Sequence, residues 1–236
     1  QSETIDRVFA ANADSEMTVL TAVLPDGERY GRIIRNAEGY VERIVEAKDC
    51  TPQELAVTEI NTGIFCFKNR LLFAHLKEIR NDNAQQEYYL TDLVAIFNQC
   101  GLRVNALVAD DPQETMGVND RIDLAKAQKW MTRHECERHM RNGVTIIDPE
   151  TVYIDVGVKI GADTVIYPNV IIQGDTVIGE RVTILSNSFL RNAVIADEVC
   201  IDSSKIVESS VGARTTIGPM SHLRNHTEIA EDCRIG

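Results

Sequence analysis

The apolar positions of this chain change period part-way along it. Before residue 120 they form short blocks that alternate between strand and helix character, and after residue 143 they recur every sixth place. In the first part, residues 17–24 (Met-Thr-Val-Leu-Thr-Ala-Val-Leu) read as a buried strand. Tyr30–Ile34, Tyr40–Val45 and Gly63–Phe67 read as shorter strands between polar turns. From Glu87 to Cys100, Leu90, Leu93, Val94 and Phe97 fall at helical spacing, with Gly101 placed for a C-terminal cap. Val104–Val108 returns to strand. The alternation predicts a layered α/β domain whose sheet is covered by helices and whose N-terminal strands lie upstream of this sequence.

Between Asp120 and Asn142 the spacing predicts one long helix with Asp120 as N-cap, Leu124, Ala127 and Met131 on one stripe, and Gly143 as its stop. His134 and His139 in this helix superficially resemble a zinc-protease signature. They are five residues apart rather than four, however, which turns one ring about 140° from the other and argues against a shared metal.

Beyond the helix, aliphatic residues stand at Ile154, Ile160, Ile166, Ile172, Ile178, Ile184 and Leu190, then at Val211, Ile217, Leu223, Ile229 and Ile235. Thr164, Val170, Thr176, Val182 and Ser188 recur four places after the preceding aliphatic. Neither helix nor hairpin has period six. A hexapeptide can form one flat face of a triangular coil with the aliphatic pointing inward, so three complete a turn and stacked turns share a core. This predicts a left-handed parallel β-helix. The steps shorten to five residues at Leu190–Ile195 and through Ile201, Ile206 and Val211, which implies locally distorted turns.

Composition narrows the function. The net charge of −12 argues against a nucleic-acid partner, since phosphate recognition needs clustered Lys and Arg. No apolar run approaches the roughly 20 residues of a membrane span, and the first residues have no signal-peptide pattern, so the expected compartment is the cytoplasm. Six scattered cysteines without a C-x-x-C pair read as free, mostly buried thiols. The sequence opens without Met and ends inside its repeat, so it reads as a piece of a longer chain.

Four segments bring a family into view: Tyr30-Gly31-Arg32-Ile33, Ile60-Asn61-Thr62-Gly63-Ile64, Asn83–Asp92 and Gly117-Val118-Asn119-Asp120-Arg121. With the helix and hexapeptides that follow, they resemble the bifunctional N-acetylglucosamine-1-phosphate uridyltransferase and glucosamine-1-phosphate N-acetyltransferase family. The resemblance implies three parts. Residues 1–121 would be the C-terminal part of a Rossmann-like α/β uridyltransferase domain, 122–142 a linker helix, and 143–236 the N-terminal part of a left-handed β-helix acetyltransferase domain. It also implies a homotrimer that uses acetyl-CoA, UTP and sugar-1-phosphates to make UDP-N-acetylglucosamine.

By the same resemblance Gly31, Glu46 and Asn61 would meet the sugar, and Asn119 would share Mg²⁺ with an Asp outside this chain. Arg224 would grip a phosphate through its planar fork. The family continues with Pro after that Arg, whereas Asn225-His226 follows here. The acetyl-transfer His and the nucleotide loop would lie beyond the ends, so this polypeptide is expected to be inactive alone in both reactions. Taken singly, Gly31 could serve a turn, Asn61 a strand end and Glu46 a solvated surface. Two other readings compete: a sugar nucleotidyltransferase of ADP-glucose type with a regulatory β-helix, and a β-helix that serves only trimerisation.

Overall fold

A computed structural model describes residues 2–27 and 29–236, in two compact units, Gln1–Asp123 and Leu124–Gly236. The first unit is built on a five-stranded sheet of β1 (Met17–Val23), β2 (Arg32–Arg35), β3 (Val41–Val45), β4 (Glu59–Phe67) and β5 (Val104–Val108), in the order β3-β2-β4-β1-β5. β1 pairs in parallel with β5, and the other neighbours are antiparallel. Six of the seven residues of β1 are buried, as its unbroken apolar run requires of a central strand. Helices α1 (Ser2–Ala11), α2 (Pro52–Leu55), α3 (Asn69–His75) and α4 (Leu93–Gln99) accompany the sheet. Leu93, Val94 and Phe97 of α4 pack with Met17, Val19, Ile33 and Ile44 in the main core.

Three sequence expectations need correction here. The strand read at Gly63–Phe67 begins at Glu59, because Ile60 and Asn61 pair with the end of β1. The helix read from Glu87 begins only with a 3₁₀ turn at Leu90 and becomes α-helical at Leu93. Asn83 binds this stretch from its side chain: its Oδ1 accepts from the Glu87 amide at 3.1 Å, and its Nδ2 donates to the Glu87 carbonyl, the acceptor a helix starting there would offer to the Thr91 amide. At the other end the expected cap is present, with Gly101 at φ +69° and Leu102 N donating to Phe97 O at 2.9 Å.

The third correction concerns the long helix, α5 (Arg121–Arg141). Its caps form as read: Asp120 Oδ1 accepts from the amides of Ile122 and Asp123, and Gly143 takes φ +92°. The predicted stripe, however, faces solvent, with Leu124 56% and Met131 47% exposed. The buried face is Thr132, Glu135, Cys136 and His139, so a count of apolar residues alone selects the wrong side. Cys136 joins the core of the second unit, and burial pushes its thiol up to about 11. His139 is buried with Nε2 accepting from Arg138, while His134 stacks on Trp130, so the two rings share no site.

The second unit is a parallel β-helix of three sheets, each made of short strands from successive turns. One ladder stacks Ile146, Ile166, Ile184, Ile201, Ile217 and Ile235. A second stacks Ile154, Ile172, Leu190, Ile206 and Leu223, and a third Ile160, Ile178, Ile195, Val211 and Ile229. Every aliphatic of the six-residue pattern lies on one of them. The five-residue steps leave the ladders intact. They shorten corners instead, at Asn192, Ser203 and Glu208, all in the left-handed region. Buried hydroxyls bind one turn to the next: Thr164 Oγ1 donates to Gly179 O at 2.9 Å and accepts from Val182 N at 3.1 Å. Thr215 repeats the arrangement with Ala230 O and Cys233 N. Among the described residues no helix is long and apolar enough to cross a membrane, and all six cysteines are free.

Candidate functional site

In the first unit the turn after β1 leads into Gly31, immediately before β2. Arg32 is buried, and its guanidinium donates to the carbonyls of Gly27 and Tyr30, which fixes that turn from inside. Gly31 O accepts from Asn61 N at 2.8 Å, so β4 holds Asn61 directly beside it. Gly31 does not occupy the left-handed region; the demand is for space. A Cβ there would stand 3.3 and 3.4 Å from the two Glu46 carboxylate oxygens and 3.3 Å from Ile44 Cγ2. Glycine therefore leaves the carboxylate open to a ligand.

Glu46 lies just past the end of β3 and is half-buried. Its Oε1 accepts from Thr91 Oγ1 at 3.1 Å. Burial holds the carboxyl above the ordinary value, the Thr91 hydrogen bond opposes that shift, and the charges of Asp49 and Asp92 add to it. Asp92 is itself raised by burial and by Asp49. The 83–92 segment folds over this corner: Ala84 N donates to Asp49 Oδ1 at 2.8 Å, Lys48 Nζ donates to Gln85 Oε1, and Gln85 Nε2 donates to Tyr89 Oη at 2.7 Å. On the other side, Asn61 Oδ1 accepts from Gly63 N at 3.0 Å, which presents its Nδ2 as the end that can donate outward.

Gly31, Glu46 and Asn61 thus form one cluster. Carboxylate acceptors and an amide donor line it, a set suited to a neutral polyhydroxyl or acetamido group and unsuited to an anion.

Asn119 is exposed and sits one link further. Gly117 N donates to Tyr30 Oη at 3.0 Å, tying the 117–119 segment to the residue before Gly31. Asn119 N donates to Asp123 Oδ2 at 3.3 Å, and Arg29 pairs with both Asp123 and Asp120. Among the described residues no hydrogen bond joins Asn119 to Glu46 or Asn61. The side chain offers one neutral oxygen, which fits Mg²⁺ as a contributing ligand, because that ion takes few protein oxygens alongside water and phosphate.

Arg224 belongs to the second unit. Its carbonyl accepts from Ser209 Oγ at 2.8 Å and Thr227 Oγ1 at 2.6 Å, while its side chain is exposed and, among the described residues, forms no ion pair. Asn225-His226 make an ordinary corner after it, with His226 at φ +65°.

Sequence reasoning missed Thr91, Tyr30 and Arg32, which position the cluster. Their signal was weak: each lies in a quoted segment, but Thr91 and Tyr30 act through Glu46 and Gly117, far away in sequence, and Arg32 acts by turning its guanidinium back onto Gly27 and Tyr30.

Comparison with known proteins now bears on this arrangement. The GMPPB C-terminal domain family matches residues 148–236. Over the whole chain, the Bifunctional protein GlmU of Lactobacillus johnsonii is 51% identical. GlmU proteins of Latilactobacillus sakei and Clostridium botulinum are 48% and 46% identical over 99% and 100% of the chain. The chain is homologous to the GlmU proteins. It spans about half the length of these relatives, 51%, 51% and 52% respectively. Homology to GlmU covers the α/β unit and the coil together, so the motif resemblance holds across both.

Proposed function

We propose that this chain supplies the sugar-binding side of a GlmU-type uridyltransferase site and the first coils of the associated acetyltransferase. The observation that carries the reading is the Gly31–Glu46–Asn61 cluster, lying in a chain homologous to GlmU throughout. In this reading N-acetylglucosamine 1-phosphate binds with its hydroxyls donating to Glu46 and its acetamido oxygen accepting from Asn61 Nδ2. Gly31 lets the ring approach the backbone. The sugar phosphate oxygen then attacks the α-phosphate of UTP and pyrophosphate leaves, a reaction in which the protein mainly positions anions and offsets charge. Mg²⁺, when bound, neutralises phosphate charge there, and Asn119 would give it one oxygen. Tyr30 acts as a positioning residue, since it fastens the Asn119 segment to the sugar-binding turn.

The coil carries the acetyl-transfer half in this proposal, with acetyl-CoA as the donor to glucosamine 1-phosphate and Arg224 as a phosphate grip. Assembly as a homotrimer and a cytoplasmic location complete it. Similarity to GlmU proteins along the whole of this chain favours this reading over an ADP-glucose type enzyme or a purely structural coil.

Calorimetric titration of UDP-N-acetylglucosamine into the chain tests it. Saturable binding is expected, at least tenfold weaker for Asn61→Ala and for Gly31→Ala with fold retained by circular dichroism. Equal affinity in both variants would remove the assignment.

A further inference from the structure

A second group of reactive side chains gathers elsewhere in the α/β unit. His75 is the last residue of α3, Glu78 stands in the 3₁₀ turn that follows, and Cys100 caps the C-terminus of α4. One ligand atom from each (an imidazole nitrogen, a carboxylate oxygen and Sγ) lies within 4.8 Å of the others. His75 Nδ1 and Glu78 Oε1 are already 2.9 Å apart. Tetrahedral zinc, with bonds of about 2.0–2.3 Å, sets its ligand atoms roughly 3.3–3.8 Å apart, between those two separations. Small side-chain rotations would therefore close the site without moving backbone.

The supports are rigid. The His75 ring packs edge-on against Phe97 at 5.5 Å, and Phe97 is fully buried. Cys100 is held by the glycine cap, its amide donating to Ile96 O and Phe97 O at 3.1 Å. Of the six cysteines Cys100 alone is exposed, and Glu78 is exposed beside it, so an ion can enter and water can take a fourth position. A mixed nitrogen, sulfur and oxygen set selects a borderline-soft cation over Mg²⁺ or Ca²⁺, which prefer oxygen alone.

We infer that His75, Glu78 and Cys100 form a Zn²⁺ site, completed by one water, that ties the end of α3 to the end of α4. Binding takes the thiol proton to solvent as the sulfur–zinc bond forms, so affinity rises with pH. The site is separate from the sugar cluster and does not depend on the reading given for it.

Titration of Co²⁺ into the reduced, tag-free chain is the test, because a thiolate ligand gives cobalt a near-ultraviolet charge-transfer band and four-coordination gives intense visible bands. One equivalent is expected to bind, and Zn²⁺ to displace it. Cys100→Ser should lose the charge-transfer band, and His75→Ala and Glu78→Gln should each weaken uptake at least tenfold, with the fold checked by circular dichroism. Glu78 is exposed, so its variant keeps the test decisive should the others misfold. Absence of saturable uptake, an unchanged thiolate band in Cys100→Ser, or full affinity in Glu78→Gln would each overturn the assignment.

Discussion

In the coil, Ile166 lies opposite Ile184 and Ile184 opposite Ile201, so each buried aliphatic stacks on the corresponding residue of the next turn. In the α/β unit, Met17 lies opposite Phe67 on one side and Val104 on the other, and no local period announces either partner. Both cores are apolar and well buried, yet one is assembled from near neighbours in sequence and the other from distant ones. Near-neighbour stacking makes coil stability a sum of similar interfaces. Long-range pairing makes the α/β core depend on a few large side chains that must meet at once.

Core truncation should give the largest effects and exposes this difference. Phe97 is fully buried among residues of β1, β2 and β3, touches both Phe67 and His75, and is the largest fully buried side chain at that junction. Phe97→Ala is expected to cost about 3–5 kcal/mol by chemical denaturation, and Ile184→Ala about 2–5 kcal/mol. If Ile184→Ala matched an exposed control, the three-ladder account of the coil would fail.

Next in size is a test of close approach between turns. A Cβ at Gly161 would sit 2.6 Å from the Gly179 carbonyl carbon and oxygen, so Gly161→Ala must push two turns apart. A loss of about 1–3 kcal/mol is expected, as for other overpacked sites. Gly39 is the comparison: nothing lies within 4 Å of its would-be Cβ, and its φ of +86° leaves only backbone strain. Gly39→Ala should therefore cost about 1 kcal/mol. Thermal or urea unfolding of the pair separates contact from conformation.

The same contrast explains what the sequence made legible. Period six placed the aliphatics from Ile154 to Leu190 and from Val211 to Ile235, because in a three-sided coil the spacing alone decides which side chains point inward. Even the five-residue steps were visible; their location at corners was not, since a corner is defined by backbone angle at residues such as Ser203 and Glu208. In the α/β unit strand positions were legible but ends were not. Asn83 binds the amide and carbonyl of Glu87 through a side chain four residues away, and Asn61 joins β4 only because β1 and Gly31 lie beside it. The α5 stripe misled for a related reason, since the buried face carries Thr132, Glu135 and His139. Within the candidate site, motif resemblance selected Gly31, Glu46 and Asn61, which pack together. It did not show Thr91 or Tyr30, whose roles exist only once the chain has folded.

A smaller effect concerns Glu46 and sharpens the comparison at the level of charge. Its folded value is raised above the ordinary 4.5, chiefly by burial. To accept from sugar hydroxyls as proposed, it must be ionised. Affinity for UDP-N-acetylglucosamine should then be complete above the folded value and fall as pH drops through it, starting at a higher pH than for an ordinary glutamate. Thr91→Val removes the hydrogen bond that favours the ionised form, so it should move that fall to still higher pH. Glu46→Gln should flatten this part of the profile. Binding measured across the acidic range decides the matter, and an unaltered profile in Glu46→Gln would exclude the residue from the site.

The smallest expected effect lies in α2, far less dependent on distant partners than either core. Thr51 and Glu54 form a reciprocal cap: Glu54 N donates to Thr51 Oγ1 at 3.3 Å, and Thr51 N donates to Glu54 Oε2 at 2.8 Å. The Thr51 amide, the Thr51 hydroxyl, which donates to Glu54 Oε2 at 2.8 Å, and Arg43 together hold the Glu54 carboxyl down at about 2. A helix of only four residues cannot persist on its own, so the cap is what keeps it in place beside β2. Thr51→Ala should cost about 1 kcal/mol. Because the folded value of Glu54 is depressed, its contribution is present above the unfolded value near 4.5 and is lost as pH falls toward 2. The stability gap between the wild type and Thr51→Ala should therefore narrow on acidification in that window. Urea midpoints at neutral and acidic pH measure it, and a gap that stayed constant would show that the cap acts through the hydroxyl alone.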